Sequence, residues 1–394
     1  MTGAFPPEIA RLVDSIYPPA RQALADSFAG ASRRLFAVDA LVQLALIAAF
    51  SFTGAARWLR DRISHLLGAV GFSRPFVVAC VLTLCAIIGF SVITLPLDWY
   101  GSFVLRHEFG LSRETAQQWF RDYAVGLALF ASIAAVLAGL FVVLVRALPR
   151  RWPLVVGAAA LPLILIASAV FPVFIAPLFN SFRPMPKSQL SDAILALAHA
   201  QDIDADVVFV YDMSRQSTEA DAYVAGIGRT ERIAVGDNLL AQLAPDEVLY
   251  VLAHEMGHYK LGHLWIGAFL SWLDALVLVA IVCWVGGAIA RKRGEELSDP
   301  AALPLIALII FCYGLVTAPV SNAISRRIEH AADAFAAAHT RLGDAGVRAF
   351  ARLANEDLSP LHPPPFVVWY FYTHPPMDER IMFAAARAGV GRVR

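Results

Sequence analysis

Six long apolar runs constrain this chain more than any other feature of its sequence. Each run has about 20 mostly apolar residues, which is the length that a helix needs to cross a bilayer. The runs occupy 36–56, 76–97, 124–145, 153–178, 264–289 and 302–320. Only 16% of the residues are charged, whereas about a quarter are charged in soluble domains. The sequence therefore predicts an all-α polytopic membrane protein, multi-pass and embedded in the lipid bilayer.

The apolar runs also divide the chain into segments. We expect an amphipathic N-terminal arm on the membrane at 1–35, four membrane helices with a polar loop (98–123) at 36–178, an α/β insert at 179–263, two further membrane helices at 264–320, and a helix with a C-terminal tail at 321–394. With six crossings, every large polar segment follows an even-numbered span. All of these segments therefore lie on one side of the membrane and can meet there.

The insert combines short strands with a helix. Strands are predicted at 207–211 and 232–235, with a possible third at 222–227, because these stretches are rich in β-branched and aromatic residues. A helix is predicted to begin at Pro245, since proline is favoured in the first helical turn.

Charge and cysteine content exclude other classes. The 32 basic residues equal the 32 acidic residues, so there is no electrostatic footprint for nucleic acid, and we expect no nucleic-acid partner. The four cysteines lie inside apolar runs without metal-ligand spacing. Any bound metal must therefore use histidine, aspartate or glutamate side chains.

The predicted helix carries the pattern His254-Glu255-Met256-Gly257-His258. Two histidines one turn apart project from one face and can share a zinc ion. Glu255 is placed to act as general base on a water at the metal. The alternative interpretation is a pair of interfacial histidines without a metal.

A catalytic zinc needs a third protein ligand, and His263 is off the spacing of the extended three-histidine pattern. A better source is the helix after the sixth apolar run, where four polar residues share a stripe of roughly 60°: Asn322, Arg326, Glu329 and Asp333. Glu329 is the predicted ligand, with Asp333 behind it to orient a histidine. His330 is a rival that points off the stripe, and a plain solvated face is the other alternative.

These motifs together resemble those of the type I CAAX prenyl endopeptidases, which are integral membrane zinc metallopeptidases. The resemblance covers nearly the whole chain from about residue 35. It rests on 254–258 with 322–333, and on three further segments: Leu95–Tyr100 with Phe109–Ser112, Pro172–Phe182, and Thr373–Arg380. The fold that it implies is a set of about six helices around a chamber, with a small α/β insert that carries the zinc helix.

The resemblance implies a zinc metalloendopeptidase with one Zn²⁺ per chain. It assigns zinc binding to His254, His258 and Glu329, catalysis to Glu255 and to His374 as oxyanion donor, and support of the site to Asp333, Asn322 and Arg326. It assigns substrate binding to the strand Ala222-Tyr223-Val224 and to Arg380. An ordinary sheet strand is the alternative interpretation of 222–224.

The substrate stays open between C-terminal CAAX-type peptides, lipidated or not, and other membrane-associated or misfolded polypeptides. This chain has Asp221 where the family commonly has asparagine, and six spans where eukaryotic members have seven. We expect a bacterial inner membrane, with the orientation of the site open. Asp274 in the fifth run either faces the chamber or forms an interhelical hydrogen bond.

Two other classes remain as alternatives. A zinc-binding transporter would need polar residues spread through the spans, and these are few. A non-catalytic zinc scaffold would need no general base, yet Glu255 is present.

Overall fold

The computed structural model describes residues 5–226 and 232–388, and it is mainly helical. Its helices are α1 (Pro7–Ile16), α2 (Pro19–Phe52), α3 (Ala55–Ala69), α4 (Pro75–Trp99), α5 (Leu105–Glu108), α6 (Ala116–Ala147), α7 (Trp152–Val170), α8 (Gln189–Ala200), α9 (Asp237–Gln242), α10 (Pro245–Lys260), α11 (His263–Ile281), α12 (Gly287–Lys292), α13 (Leu303–Thr340), α14 (Gly343–Glu356), α15 (Pro365–Phe371) and α16 (Met377–Ala388). Its strands are β1 (Phe182–Pro184), β2 (Val208–Tyr211), β3 (Ala222–Ala225) and β4 (Arg232–Gly236).

Within the described residues, six helical stretches are long and apolar enough to cross a membrane. They are Pro19–Phe52, Pro75–Glu108, Ala116–Ala147, Trp152–Leu178, His263–Lys292 and Pro300–Thr340. Five of them contain one of the six apolar runs in full, whereas the first ends at Phe52, inside the run 36–56. The predicted fold class, a helical polytopic membrane protein with a small sheet insert, is confirmed.

The structure draws several segment boundaries differently from the sequence. Helix α2 runs unbroken from Pro19 to Phe52, across the expected boundary at 35. The helix that begins at Pro75 likewise continues through a π-turn to Glu108, inside the expected polar loop. Hydropathy marks where the membrane begins, but the backbone hydrogen bonds of a helix carry on past that point.

The N-terminal arm also packs differently from the expectation. In α1, Ile9 and Val13 are 3% and 1% exposed, and they join a core cluster with Tyr250 and Phe350. An apolar stripe at i and i+4 suits a lipid surface and a protein core equally well. This helix therefore lies against α14 rather than flat on the membrane.

The insert forms a four-stranded sheet in the order β1-β2-β4-β3. Strands β2 and β4 are parallel, while β1 and β3 pair antiparallel with their neighbours. The three predicted strands are present, with the third ending at Ala225 and residue 227 outside the described residues. Strand β1 contains Pro184 and only three residues, which left no strand pattern to detect.

Helix α10 lies between this sheet and α13. Val248, Leu252 and Met256 are buried against the sheet side. On the other side, a Cβ at Gly257 would lie 3.0 Å from Cβ of Phe335 on α13. Any side chain at this position would push α10 away, so glycine permits the close approach of the two helices.

Buried ion pairs fix the start of α10. Glu247 is fully buried, and its Oε2 accepts a hydrogen bond from the backbone N–H of Ala244, which caps the helix. Arg348 and Arg352 of α14 reach its two carboxylate oxygens at 3.1 and 3.0 Å. The helix that carries the histidine pattern is thereby anchored at its N-terminus.

Candidate active site

Three predicted ligands converge where α10 meets α13. The Nε2 atoms of His254 and His258 lie 3.1 Å apart. Glu329 lies opposite them, with Oε2 at 3.2 Å from Nε2 of His254 and Oε1 at 3.5 Å from Nε2 of His258. Two nitrogen atoms and one carboxylate thus face a common point.

His254 is held by a buried pair behind it. Its Nδ1 lies 2.9 Å from Oδ1 of Asp333 on α13, one turn beyond Glu329. Arg380 of α16 binds the same carboxylate through two N–H groups, at 2.9 and 2.7 Å. Because Asp333 accepts a hydrogen bond from Nδ1–H of His254, the lone pair of this imidazole is on Nε2, the atom that faces Glu329.

His258 has a corresponding partner in His263, the first residue of α11. Their Nδ1 atoms lie 3.0 Å apart, so one nitrogen donates and the other accepts. A donating Nδ1–H on His258 leaves the lone pair of its Nε2 free on the side of Glu329. His263 therefore orients a predicted ligand and does not itself face the three-residue cluster.

The donor set fits a tetrahedral metal. Ligand bonds of about 2.0–2.2 Å at tetrahedral angles place ligand atoms roughly 3.3–3.6 Å from one another, close to the three separations observed here. Oε2 of Glu329 is near His254 but has no hydrogen-bond geometry to any described group, so this buried atom lacks a protein partner. Two histidines and one glutamate form a common catalytic zinc set, in which the fourth position takes water.

Two further predicted residues flank this cluster. Glu255 is partly buried, with Oε1 at 4.0 Å from Nε2 of His254, and burial raises the pKa of its carboxyl group. His374 places Nε2 at 3.3 Å from Oε2 of Glu329, and Oγ1 of Thr373 lies 2.9 Å from its Nδ1. Burial lowers the pKa of His374, although Glu329 opposes this, so a neutral imidazole is favoured.

A cavity of about 440 Å³ opens beside these groups and is lined by His254, Glu255 and His374. Ala222, at the start of β3, also lines it. Strand β3 pairs only with β4 among the described residues, so its other edge is open. Asp221, just before β3, accepts a hydrogen bond from the hydroxyl of Tyr211 at 2.5 Å, and burial raises the pKa of Asp221.

Asn322 and Arg326 bind the backbone that precedes His374. The side-chain amide of Asn322 donates to the carbonyl of Tyr370 at 2.5 Å. The guanidinium of Arg326 donates to the carbonyls of Val368 and Tyr372, at 2.9 and 2.5 Å. The polar stripe on α13 thus connects directly to the C-terminal segment, not to solvent.

Other expected residues lie elsewhere. Arg380, expected from the resemblance to contact substrate, is 7% exposed and paired with Asp333. His330 faces the ring of Phe383 and not the cluster. Asp274 accepts a hydrogen bond from the Tyr313 hydroxyl on α13, which is the interhelical alternative.

Sequence reasoning gave no positioning role to His263, since its spacing from His258 only argued against a third ligand. It also missed Asp357 and Tyr250, which line the cavity. No sequence pattern marks these two residues as part of a site, because an aspartate at a helix end and a tyrosine in an apolar helix are common in any protein.

Fold and site together define an integral membrane metallopeptidase. The family model described as Peptidase family M48 matches residues 184–388, and the model described as CAAX prenyl protease N-terminal, five membrane helices, matches residues 9–181. The chain belongs to peptidase family M48. It is a membrane-embedded metalloendopeptidase of a family whose metal is generally zinc, which decides against the transporter and scaffold alternatives.

Named relatives agree with this family. The uncharacterized metalloprotease YhfN of Bacillus subtilis is 30% identical over 94% of this chain and 87% of its own length. CAAX prenyl protease 1 homolog of Arabidopsis thaliana is 30% identical over 87% of this chain and 82% of its own length. The crystal structure of Ste24p from S. mikatae has the same fold, with a TM-score of 0.83, 23% identity and coverage of 97% of this chain and 91% of that chain.

Proposed function

We propose that this enzyme is a zinc endopeptidase that cleaves CAAX-type polypeptides, lipidated or otherwise membrane-associated, near their C-terminus. The convergence of His254, His258 and Glu329 beside an open strand edge is the observation that carries this proposal. Relatives in plants and yeast are named CAAX prenyl protease 1, and this name supplies the proposed substrate class. The bacterial relative supports a bacterial inner membrane as its location.

In this proposal, His254, His258 and Glu329 hold zinc, with Asp333 and His263 fixing the two imidazole rings. Zinc bound there would supply a Lewis acid that polarises the scissile carbonyl and activates water. The imidazole of His374 is neutral in this proposal. It can donate a hydrogen bond through one ring N–H, but it does not compete with the metal as a second cation beside Glu329.

Glu255 acts as the general base. It takes a proton from the attacking water and delivers it to the nitrogen of the leaving amine. Burial raises the pKa of this carboxyl group toward neutral pH, and a group with such a pKa can both accept and donate the proton. His374 donates a hydrogen bond to the oxyanion that develops on the substrate carbonyl.

Strand β3 receives the substrate. An extended peptide can add to an open edge and use its main chain for affinity, so Ala222, Tyr223 and Val224 are the proposed binding strand. Ala222 and Glu255 line the same cavity, which supports a binding position for the peptide on this strand next to Glu255. Arg380 supports the site through Asp333 in this proposal.

The test is cleavage of a peptide panel by the purified protein in detergent, with zinc content measured on each sample. The panel contains prenylated CAAX peptides, the same peptides without the lipid, and an unfolded protein. Glu255→Gln is the inactive variant, and Glu356→Gln is a control of equal charge change outside the cavity. We expect cleavage by the wild type and the control, none by Glu255→Gln, and zinc in all three.

Undiminished cleavage by Glu255→Gln would overturn the proposed mechanism. Equal cleavage of the panel members would contradict the CAAX assignment while leaving the metallopeptidase intact.

A further inference from the structure

Among the described residues, the cavity wall carries two buried polar atoms that have no hydrogen-bond partner and that the catalytic proposal does not use. Tyr250 is fully buried, and its hydroxyl has no hydrogen-bond partner among the described residues. Oδ1 of Asp357 is shielded from solvent and also lacks a partner in this part of the chain. Both residues line the same cavity as Glu255 and His374. Unpartnered buried polar atoms are rare in proteins, and they point to a bound group that completes them.

The end of helix α14 places Asp357 at this wall. Its backbone N–H donates to the carbonyl of Leu353 at 2.9 Å and closes the last helical turn. Leu358 then takes a left-handed conformation with φ of 48°, a common helix stop, and its side chain is buried. The Asp357 carboxylate receives one hydrogen bond from the backbone of Ala220, two residues before β3. The carboxylate therefore lies next to the proposed substrate strand.

Among the described residues, the carboxyl groups of this cavity wall have no free lysine or arginine side chain to pair with. The wall holds the carboxyl groups of Asp221, Glu255 and Asp357. The one arginine in the wall, Arg380, is already bound at two positions by Asp333. Glu219, whose charge also acts on Asp357, is paired with Arg106 at 2.8 Å. Burial, with smaller effects from Glu219 and Glu356, raises the pKa of Asp357 to about 8, as expected for a carboxyl group without its counter-charge.

We propose that Asp357, in the cavity wall that also contains the buried Tyr250 hydroxyl, forms an acidic subsite that binds a cationic group of the substrate close to the cleaved bond. The group is an ammonium or guanidinium, supplied by a lysine or arginine side chain or by the free α-amine of a short peptide. Its N–H donors satisfy Oδ1 of Asp357 and balance the charge of the wall. This inference rests on the proposed peptidase function and adds a substrate preference to it.

The test uses a synthetic peptide library of fixed length with randomised positions, prepared with a free or an acetylated N-terminus. The zinc-loaded full chain in detergent cleaves the library, and mass spectrometry locates each cleaved bond. We expect the wild type to enrich lysine and arginine about 10-fold over glutamine at one position relative to the bond. This enrichment falls to within about 2-fold in Asp357→Asn and persists in the neighbouring control Glu356→Gln. Asp357→Ser serves as a second variant of smaller volume.

The two libraries separate the two sources of the cation. A side-chain cation gives the same enrichment in both libraries, whereas an α-amine gives cleavage at a fixed distance from the N-terminus that acetylation removes. Cleavage by the wild type without either preference would overturn the subsite alone. A preference that survives unchanged in Asp357→Asn and Asp357→Ser would overturn the role of Asp357. Absence of any cleavage by the wild type would instead refute the peptidase proposal, and the subsite with it.

Discussion

At the scale of single residues, the site depends on what lies behind each histidine. His254 has Asp333 at its Nδ1, and His258 has His263 at the same atom. An outer partner that fixes the tautomer of a ligand is worth about 10- to 100-fold in metal affinity. His263 is therefore a positioning residue, although it offers no atom to the metal cluster.

We predict that His263→Ala weakens zinc binding by about 10-fold or more. The reason is that His258 loses the acceptor that keeps its Nε2 lone pair directed toward Glu329. The measurement is zinc competition against a fluorescent chelator. His330→Ala is the matched control, since His330 faces Phe383 and should leave the affinity unchanged. Equal affinities for wild type and His263→Ala would refute the positioning role.

A second prediction concerns the stability cost of Asp357. The pKa of this carboxyl group is about 8 in the folded chain and 3.8 in a model compound. Between these values the folded state holds a proton that the unfolded chain releases, so folding stability falls as pH rises, by at most about 1.4 kcal/mol per pH unit. Asp357→Asn has no such proton. Its Tm should exceed that of the wild type, with a gap that widens from pH 5 to pH 8.

Thermal melts of both proteins in detergent at several pH values check this. A lower Tm for Asp357→Asn at pH 8 would mean that the carboxylate is a structural support, contrary to a group that functions at a cost in stability.

At the scale of elements, the single continuous helix α13 combines three tasks. Its first half contains the sixth apolar run, and its second half carries Glu329 and Asp333. Its 38 residues extend for about 57 Å. The same helix holds the C-terminal segment through Asn322 and Arg326, so membrane span, metal ligand and His374 share one support.

We predict that Arg326→Ala lowers kcat by about 10- to 100-fold while zinc content stays at the wild-type level. The substitution removes two hydrogen bonds to the backbone before His374, so this side chain loses its fixed position without loss of a metal ligand. Steady-state cleavage with metal analysis is the measurement. Arg327→Ala, which changes an exposed neighbour, is the control and should retain activity. Loss of zinc from Arg326→Ala would contradict this division of roles.

The elements themselves were largely predictable. Apolar runs located the six candidate membrane helices of the described residues, and the spacing in 254–258 and 322–333 located α10 and the second half of α13. The continuity of two helices was not predictable: α2 begins well before its apolar run, and α13 joins the sixth run to the helix predicted after it without a break. The partner of α1 was also not predictable, because one stripe can face lipid or protein.

At the scale of the whole molecule, the site is assembled from segments far apart in the chain. Helix α10, helix α13 and the segment that carries His374 meet on one side of the membrane. Because the number of crossings between these segments is even, the sequence predicted that they share one side of the membrane. The sequence could not show that Arg380 would pair with Asp333, since that contact depends on how α16 packs beneath the site.

This assembly predicts that metal removal destabilises the whole catalytic region. Zinc held by the proposed ligands on α10 and α13 would favour the folded state over any state in which these helices separate, by about 2.7 kcal/mol when free zinc is 100 times its Kd. We expect a chelator to lower the Tm of the wild type and added zinc to restore it.

Glu329→Gln should melt close to the metal-free wild type and respond little to zinc, because one of three convergent ligands has lost its charge. Glu356→Gln, a surface change of equal charge, should retain the full zinc response. A full zinc response in Glu329→Gln would mean that another residue completes the metal site. His374 already lies 3.3 Å from Oε2 of Glu329, whereas His263 would have to move from behind His258 into the cluster.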